Sequence, residues 1–495
     1  MVFNSLTFLI FFPIVLVVYL VLKGKLRTYW LLVASYYFYA SWNVKYTVLI
    51  LISTIITYLS GILIEKAKSV SAKKWVVAGS LVSNLGILFV FKYLDFFFGT
   101  LNKVLAVFGI QGLSNSLSLL LPVGISFYTF QALGYTIDVY RGNVAPEKNF
   151  ARYALFVSFF PQLVAGPIER SGNLISQIQK MEKENPVTYE KFVRGAITAL
   201  YGFIMKMIIA DRISLLVTTV YAAENAGMFK GFQVILAALL FSVQIYCDFA
   251  GYSYIAIGTA SMMGFRLCDN FVTPYLSTNI KEFWAGWHIS LTSWFRDYLY
   301  IPLGGNRKGK LRKELNVMIV FLVSGLWHGA SLHYVFWGAL NGAFLVFEDL
   351  TKKLWEKITE KFNYDRSTFS AKLLMYVKNF CLVSLIWVFF RADSTQYALT
   401  LIKSMFTGIG LWQLSDGSLF TMGLDAKEMN VLIVFMALMI IVDILHKKHG
   451  DVSKLFMRQN KWFQFVCFLA GILLVVVYGV YGANYVASEF MYFRF

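Results

Sequence analysis

Five histidines occur in 495 residues, and two stand where acid–base chemistry could be done. His328 lies in Trp327-His328-Gly329, within VFLVSGLWHGASLHYVFWGALNG. The apolar run reaches His328, breaks at Gly329-Ala330-Ser331, and resumes through Phe336 and Trp337. Irregular backbone at membrane depth is tolerated only inside protein or beside a water-filled cavity, so an imidazole at such a break suits a polar cavity or tunnel. Asn341 stands nearby. The competing reading is a packed histidine hydrogen-bonded to a neighbouring helix. His288 lies in Lys281-Glu282-Phe283-Trp284-Ala285-Gly286-Trp287-His288-Ile289-Ser290, which continues to Trp294, Arg296, Asp297 and Tyr298. A neutral imidazole can take or return a proton near physiological pH. His333 is five residues beyond His328 and so does not share its helical face. With no HExxH, a zinc pair is not expected, nor is any bound cofactor. No G-x-S-x-G lies near either histidine, so a serine-hydrolase mechanism has no support.

Other polar residues interrupt runs that lipid would accept. Asp248 ends an apolar run in Gln244-Ile245-Tyr246-Cys247-Asp248-Phe249. It could orient a histidine, pair with a basic group, or bridge two helices. Glu169 and Arg170 close Phe160-Pro161-Gln162-Leu163-Val164-Ala165-Gly166-Pro167-Ile168, where two prolines within seven residues argue against a continuous span and for a re-entrant loop. The loop Gly304-Gly305-Asn306-Arg307-Lys308-Gly309-Lys310 fits the phosphate-loop spacing. Leu311 occupies the magnesium-binding Ser/Thr position and no strand precedes it, so nucleoside triphosphate binding is rejected. The basic loop could still meet lipid headgroups or a cofactor's phosphates, with simple cytoplasmic retention the favoured role; Arg307, Trp287, Trp327 and Asn341 are weak binding candidates. The three tryptophans of 284–294 are expected at headgroup depth in an interfacial amphipathic segment.

The elements that position these residues are set by composition. Hydrophobic residues make up 58% and charged residues 15%, with aromatics at 18%, against about 25% charged in soluble domains. Mean hydropathy is +0.62. Too little polar surface exists to cover a water-soluble globule, which excludes a soluble enzyme, a disordered chain and a secreted disulfide scaffold. Forty-five basic against 27 acidic residues give a net charge of +18. The basic residues fall largely in short loops, as in proteins oriented by cytoplasmic cations, rather than in a nucleic-acid-binding face. The four cysteines (Cys247, Cys268, Cys381, Cys467) form no CxxC pair and read as packed thiols.

Membrane-type runs are expected at 5–22, 29–42, 46–64, 75–98, 116–139, 193–210, 231–250, 315–327, 331–348, 373–390, 430–445 and 462–484. Shorter apolar pieces at 153–167, 213–222 and 252–265 read as re-entrant or partly crossing. The fold class is therefore all-α and integral to the membrane, with about eleven to thirteen spanning or re-entrant elements. The first run reads as an uncleaved helix rather than a signal peptide. Lysines and arginines after the first, third and fifth helices place those ends in the cytoplasm and the N-terminus outside. The segments 170–194 and 350–372 read as cytoplasmic-surface pieces. With no internal repeat visible, one polytopic domain over 1–495 is the simplest organisation.

Taken in order, several segments resemble the membrane-bound O-acyltransferase family, in its bacterial branch of alginate O-acetylases, peptidoglycan O-acetyltransferases and teichoic-acid D-alanyl transfer proteins. They are LPVGISFYTFQALGYTIDVYRG (121–142), FPQLVAGPIER (160–170), YCDFAGYSYIAIG (246–258), FWAGWHISLTSWFRDYLYIPLGGNR (283–307), SGLWHGASLHYVFWGALNG (324–342) and WVFFRAD (387–393). The resemblance covers most of 120–395, with helices 1–110 before this core and 396–495 after it. It implies that His328 matches the family's catalytic histidine and His288 the second histidine of this branch. It implies a helical ring with a central tunnel, in the cytoplasmic membrane of a bacterium, linking a cytosolic thioester donor such as acetyl-CoA to an external hydroxyl. It further implies an extracytoplasmic partner of SGNH type that relays the group to a polysaccharide.

In that scheme His328 is the general base, while His288 positions the acyl carbonyl or donates to its oxyanion. About 100 residues beyond WVFFRAD, and an aromatic tail over 489–495, resemble acetylating rather than D-alanylating members. D-alanyl transfer to teichoic acid, a transporter of acyl donors or lipid-linked sugars, and a structural hub are the alternatives.

Overall fold

The computed structural model describes residues 1–110, 112, 119–164 and 166–481. The aromatic tail and the start of the 116–139 run lie outside the described residues. The chain is 76% helical, with no strand among the described residues. Among the described residues six helices are long and apolar enough to cross a membrane: Val44–Lys66, Val70–Val107, Phe232–Met262, Phe369–Arg391, Ala426–His449 and Lys461–Tyr478; Leu6–Val21 is a shorter apolar helix. The protein is a multi-pass helical membrane protein.

Helix starts follow local chemistry. Ser5, Asn43, Ser69, Asn149, Thr368, Ser394, Asp425 and Asn460 each accept a backbone N–H with the side chain at a helix N-cap, which satisfies a donor the helix itself leaves open. Burial separates inner from outer helices. The most apolar window of Phe232–Met262 is 83% buried, against 11% for Lys461–Tyr478. The first belongs to the protein interior; the second turns Trp462, Phe463, Phe465 and Val466 outward, where the surrounding medium must be hydrocarbon.

One expectation changes. The apolar piece at 252–265 is no re-entrant segment: most of it continues the helix Phe232–Met262 without a break. Asp248 ends the apolar run, but the helix propagates through it and through Gly251. Residues 350–361 extend the helix Leu332–Lys361 and are largely exposed. The segment around the two prolines is not one continuous span: Phe150–Ser158 and Phe160–Leu163 are separated at Phe159, with Pro161 in the first turn of the second helix.

The fold divides into two compact units, Met1–Ala196 with Ile255–Cys268, and Ile197–Tyr254 with Asp269–Phe495. In the first, Arg152 clamps Glu182 at 2.7 Å and Thr28 donates to the same carboxylate at 2.7 Å, tying three helices together. In the second, the helices Lys310–His328 and Leu332–Lys361 pack on a seam of small residues. A side-chain carbon on Gly325 would meet the Tyr334 carbonyl at 2.3 Å, and one on Gly338 the Phe321 carbonyl at 2.2 Å. Small residues that let backbones approach are the usual solution where lipid supplies no hydrophobic drive between helices.

Candidate functional site

Both histidines lie in the second unit. His328 is the last residue of Lys310–His328, and the backbone then runs extended through Gly329 and Ser331 before Leu332–Lys361 begins. A Cβ on Gly329 would strike the Tyr334 ring at 2.2 Å, so glycine is required there by space. The break expected from the sequence is present, and it is a tight hairpin that leaves His328 only 3% exposed. Aromatic rings meet its imidazole edge-on: Trp327 at 4.9 Å, Trp337 at 5.1 Å and Phe390 at 5.4 Å between centroids. Trp337 stacks on Trp387 at 5.4 Å. Trp387 and Phe390 are three apart on Phe369–Arg391, so both point to this cluster.

His288 separates the short helices Ile280–Gly286 and Ile289–Phe295. Its backbone is left-handed, at φ 43° and ψ 53°, a conformation shared among described non-glycine residues only with Thr273 and Asn363. Such a position costs on the order of 1–3 kcal/mol and persists only where neighbours impose it. Here they do. Val272 N–H donates to Gly286 O at 2.9 Å, and Ile289 N–H to Asn270 O at 2.9 Å. A Cβ on Gly286 would meet Val272 O at 2.4 Å, so the two chain segments close against each other. Upstream, Glu348 accepts the Ile280 N–H at 3.1 Å and Asn379 holds Ser277 at 2.8 Å.

The His288 ring is buried against Phe249 at 4.6 Å and Phe271 at 6.4 Å, and Nδ1 lies 2.9 Å from Asn270 Oδ1. Desolvation pushes the imidazole down to about 3, so it is neutral across the physiological range. Trp327 meets His288 at 6.1 Å on one side and His328 at 4.9 Å on the other. One indole thus links the two imidazoles.

The other predicted residues divide. Trp287 is buried, stacked on Phe283 at 5.4 Å and beside Trp387 at 5.1 Å. Together with Trp284 it lies inside the protein, so these two indoles are packed against protein and are not exposed as surface anchors. Asn341 is buried one turn beyond Trp337 and donates to its carbonyl at 2.9 Å. Arg307 is exposed, outside the buried cluster. The glycine-rich loop is held instead by Asn316, which donates to Gly305 O at 2.9 Å. Asp248 pairs with Lys206 at 2.6 Å, and Lys206 also pairs with Asp211 at 2.8 Å, with all three side chains 5% exposed or less. Glu169 and Arg170 belong to the first unit. There Glu169 accepts from Asn173 at 2.8 Å and from the Cys268 backbone, while burial pushes its carboxyl above the usual range. Arg170 caps Ser171–Met181 through its backbone position.

Sequence reasoning missed Asn270, Ser253 and Lys206. Lys206 was detectable, since a lysine inside FIMKMIIAD demands an intramembrane partner. Asn270 carries no periodic or motif signal, because its partner is 18 residues away and brought back by a loop. The indole N–H groups of Trp284 and Trp337 are buried and make no hydrogen bond among the described residues. No three His, Cys, Asp or Glu side chains gather as a metal-binding group among those residues.

Helices of membrane-crossing length, with two buried imidazoles close together in the second unit, define an integral membrane protein. The sequence profile of the MBOAT, membrane-bound O-acyltransferase family matches residues 145–392, which contain both histidines and Asn270. The chain belongs to this family and is an acyltransferase. It is 39% identical over 419 residues to a probable alginate O-acetylase of Pseudomonas aeruginosa, covering 84% of this chain and 76% of that protein. It is 33% identical over 447 residues to a peptidoglycan O-acetyltransferase of Helicobacter pylori, covering 83% and 81%. A teichoic acid D-alanyltransferase of Bacillus subtilis matches at 28% over 246 residues, 48% of this chain and 60% of that protein.

Proposed function

We propose that the protein transfers an acetyl group from acetyl-CoA, a cytosolic thioester, to a hydroxyl presented from the outer side of a bacterial cytoplasmic membrane, on the way to a cell-surface or secreted polysaccharide. The observation that carries this reading is the enclosed histidine pair bridged by Trp327 in a membrane-bound O-acyltransferase chain. The acetyl identity and the polysaccharide acceptor draw on the longer and stronger likeness to O-acetylating relatives than to the D-alanyltransferase.

His328 takes the proton of the acceptor hydroxyl as its oxygen attacks the thioester carbonyl. The C–O bond forms, the tetrahedral intermediate collapses with loss of the C–S bond, and the imidazolium returns the proton to the departing thiolate. The Trp337 N–H, buried beside His328, is a donor available to the oxyanion. The first acceptor is a serine hydroxyl on an SGNH-type extracytoplasmic partner, which passes the acetyl group to the polymer. Purified protein is given radiolabelled acetyl-CoA with partner or polymer, and wild type is compared with His328→Ala and His288→Ala. Undiminished transfer by His328→Ala refutes the mechanism, and labelling only from a D-alanyl-charged carrier protein refutes the donor.

A further inference from the structure

His288 and Asn270 are joined twice. The Asn270 carbonyl accepts Ile289 N–H at 2.9 Å, which holds the left-handed turn, and its side-chain Oδ1 lies 2.9 Å from His288 Nδ1. Hydrogens are not seen directly, so the proton on that ring must come from the network. Ser290 resolves it. Its backbone N–H, which can only donate, faces the same Asn270 atom at 3.4 Å, and its hydroxyl lies 2.9 Å from it. The atom facing a backbone N–H is the amide oxygen. On the opposite side Asn270 Nδ2 donates to Ser253 Oγ at 3.1 Å, which agrees with that orientation. An amide oxygen accepts and never donates. The proton between it and His288 therefore belongs to Nδ1, and the neutral ring keeps its lone pair on Nε2.

We infer that Asn270 is a positioning residue that fixes His288 as the Nδ1–H tautomer, so that Nε2 serves the reaction as an acceptor toward a substrate N–H or O–H. Both roles that the sequence reading gives His288, positioning the acyl carbonyl and donating to its oxyanion, call for a donor, whereas the neutral ring with its proton on Nδ1 offers an acceptor at Nε2. The rings of Phe249, Phe271 and Trp327 and the Asn270 amide that surround the imidazole are all uncharged. The Ser253–Asn270–His288 chain is wholly buried, so its geometry is shielded from competition with water. This inference rests on the reading that His288 takes part in acyl transfer.

Two measurements test it on the full-length protein in nanodiscs. Histidine-selective 15N labelling, with the His288 signals found by difference from His288→Ala, reads the tautomer directly. Wild type is expected to show a protonated Nδ1 and a bare Nε2; the opposite assignment overturns the inference. Asn270→Leu is expected to give mixed tautomers and a loss of transfer of about 10- to 100-fold, the range typical of removing a group that orients a histidine ligand. Asn270→Asp keeps an acceptor at Nδ1 and adds a negative charge that stabilises imidazolium. The 15N titration of the His288 ring in Asn270→Asp should accordingly move to higher pH than in wild type by about one unit or more. A ring that titrates as in wild type overturns the contact between residue 270 and Nδ1. If His288→Ala itself retains full transfer, the functional reading of His288 fails. If His288→Ala is inactive while folded Asn270→Leu and Asn270→Asp behave as wild type, only the positioning inference fails.

Discussion

Lys206 offers the sharpest test of how this interior is held. Its ammonium lies 2.8 Å from Asp211 Oδ1 and 2.6 Å from Asp248 Oδ1, and none of the three side chains exceeds 5% exposure. At an effective dielectric constant of about 20, each contact carries roughly 6 kcal/mol of attraction. Desolvation of several kcal/mol per ion offsets most of it. The group as a whole is thus near balance, but the loss of one member is not. Lys206→Met strands two carboxylates in the interior, at a cost of about 3–5 kcal/mol. The triple variant Lys206→Met, Asp211→Asn, Asp248→Asn removes the charges together and should recover most of that loss. The assay is reversible unfolding in mixed micelles with increasing denaturing detergent, followed by tryptophan fluorescence. The single variant should unfold at a clearly lower detergent fraction than wild type, and the triple variant close to it. Equal midpoints for wild type and Lys206→Met would refute the claim that the lysine neutralises buried carboxylates. Asp248 is followed by Phe249, whose ring packs on His288. A stable triple variant with normal transfer would show that the charged group supports the fold and not the reaction.

The remaining predictions concern the site, the helix seam, pH and topology. Trp337→Phe keeps an aromatic ring and removes the indole N–H; if that group meets the oxyanion, kcat should drop about 100-fold with the unfolding midpoint little changed. Gly325→Val should destabilise by about 1–3 kcal/mol, because its side chain must displace the Tyr334 backbone; thermal melts of purified protein will show it. Glu182 is raised by burial but held below the usual carboxylate range overall by hydrogen bonds from Arg152 and Thr28 and by the Arg152 charge. Its folded pKa is depressed, so its stabilisation is present above the unfolded value and fades as pH falls through the folded one. Stability curves below pH 5 should therefore be flatter for Glu182→Gln than for wild type. For topology, Lys68→Cys in a cysteine-free background should resist an impermeant thiol reagent in intact cells and react after permeabilisation, since the loop after the third helix is expected in the cytoplasm.

Composition and pattern carried the fold class a long way. A chain with 58% hydrophobic residues has few options but a bilayer, and runs of apolar residues located nearly every long helix because backbone in hydrocarbon must satisfy itself within the helix. Breakers were legible too: the segment holding the two prolines of 161–167 forms no continuous span, and the Gly329-Ala330-Ser331 stop ends a helix where expected. His328 and His288 could be named from their neighbours in the chain. What sequence could not supply was direction and partnership. Tryptophans at 284 and 287 have the amphipathic surroundings of interface anchors, yet the turn closed by Val272 and Gly286 folds them inward. Hydropathy reports whether a residue tolerates hydrocarbon and is blind to whether that hydrocarbon is lipid or protein. The Asn270 clamp, the Lys206 pairings and the Trp327 bridge depend on residues that are far apart in sequence, or on helices that meet only once the chain is packed. Local propensity decides where helices form; only packing decides which imidazole nitrogen a distant amide can reach.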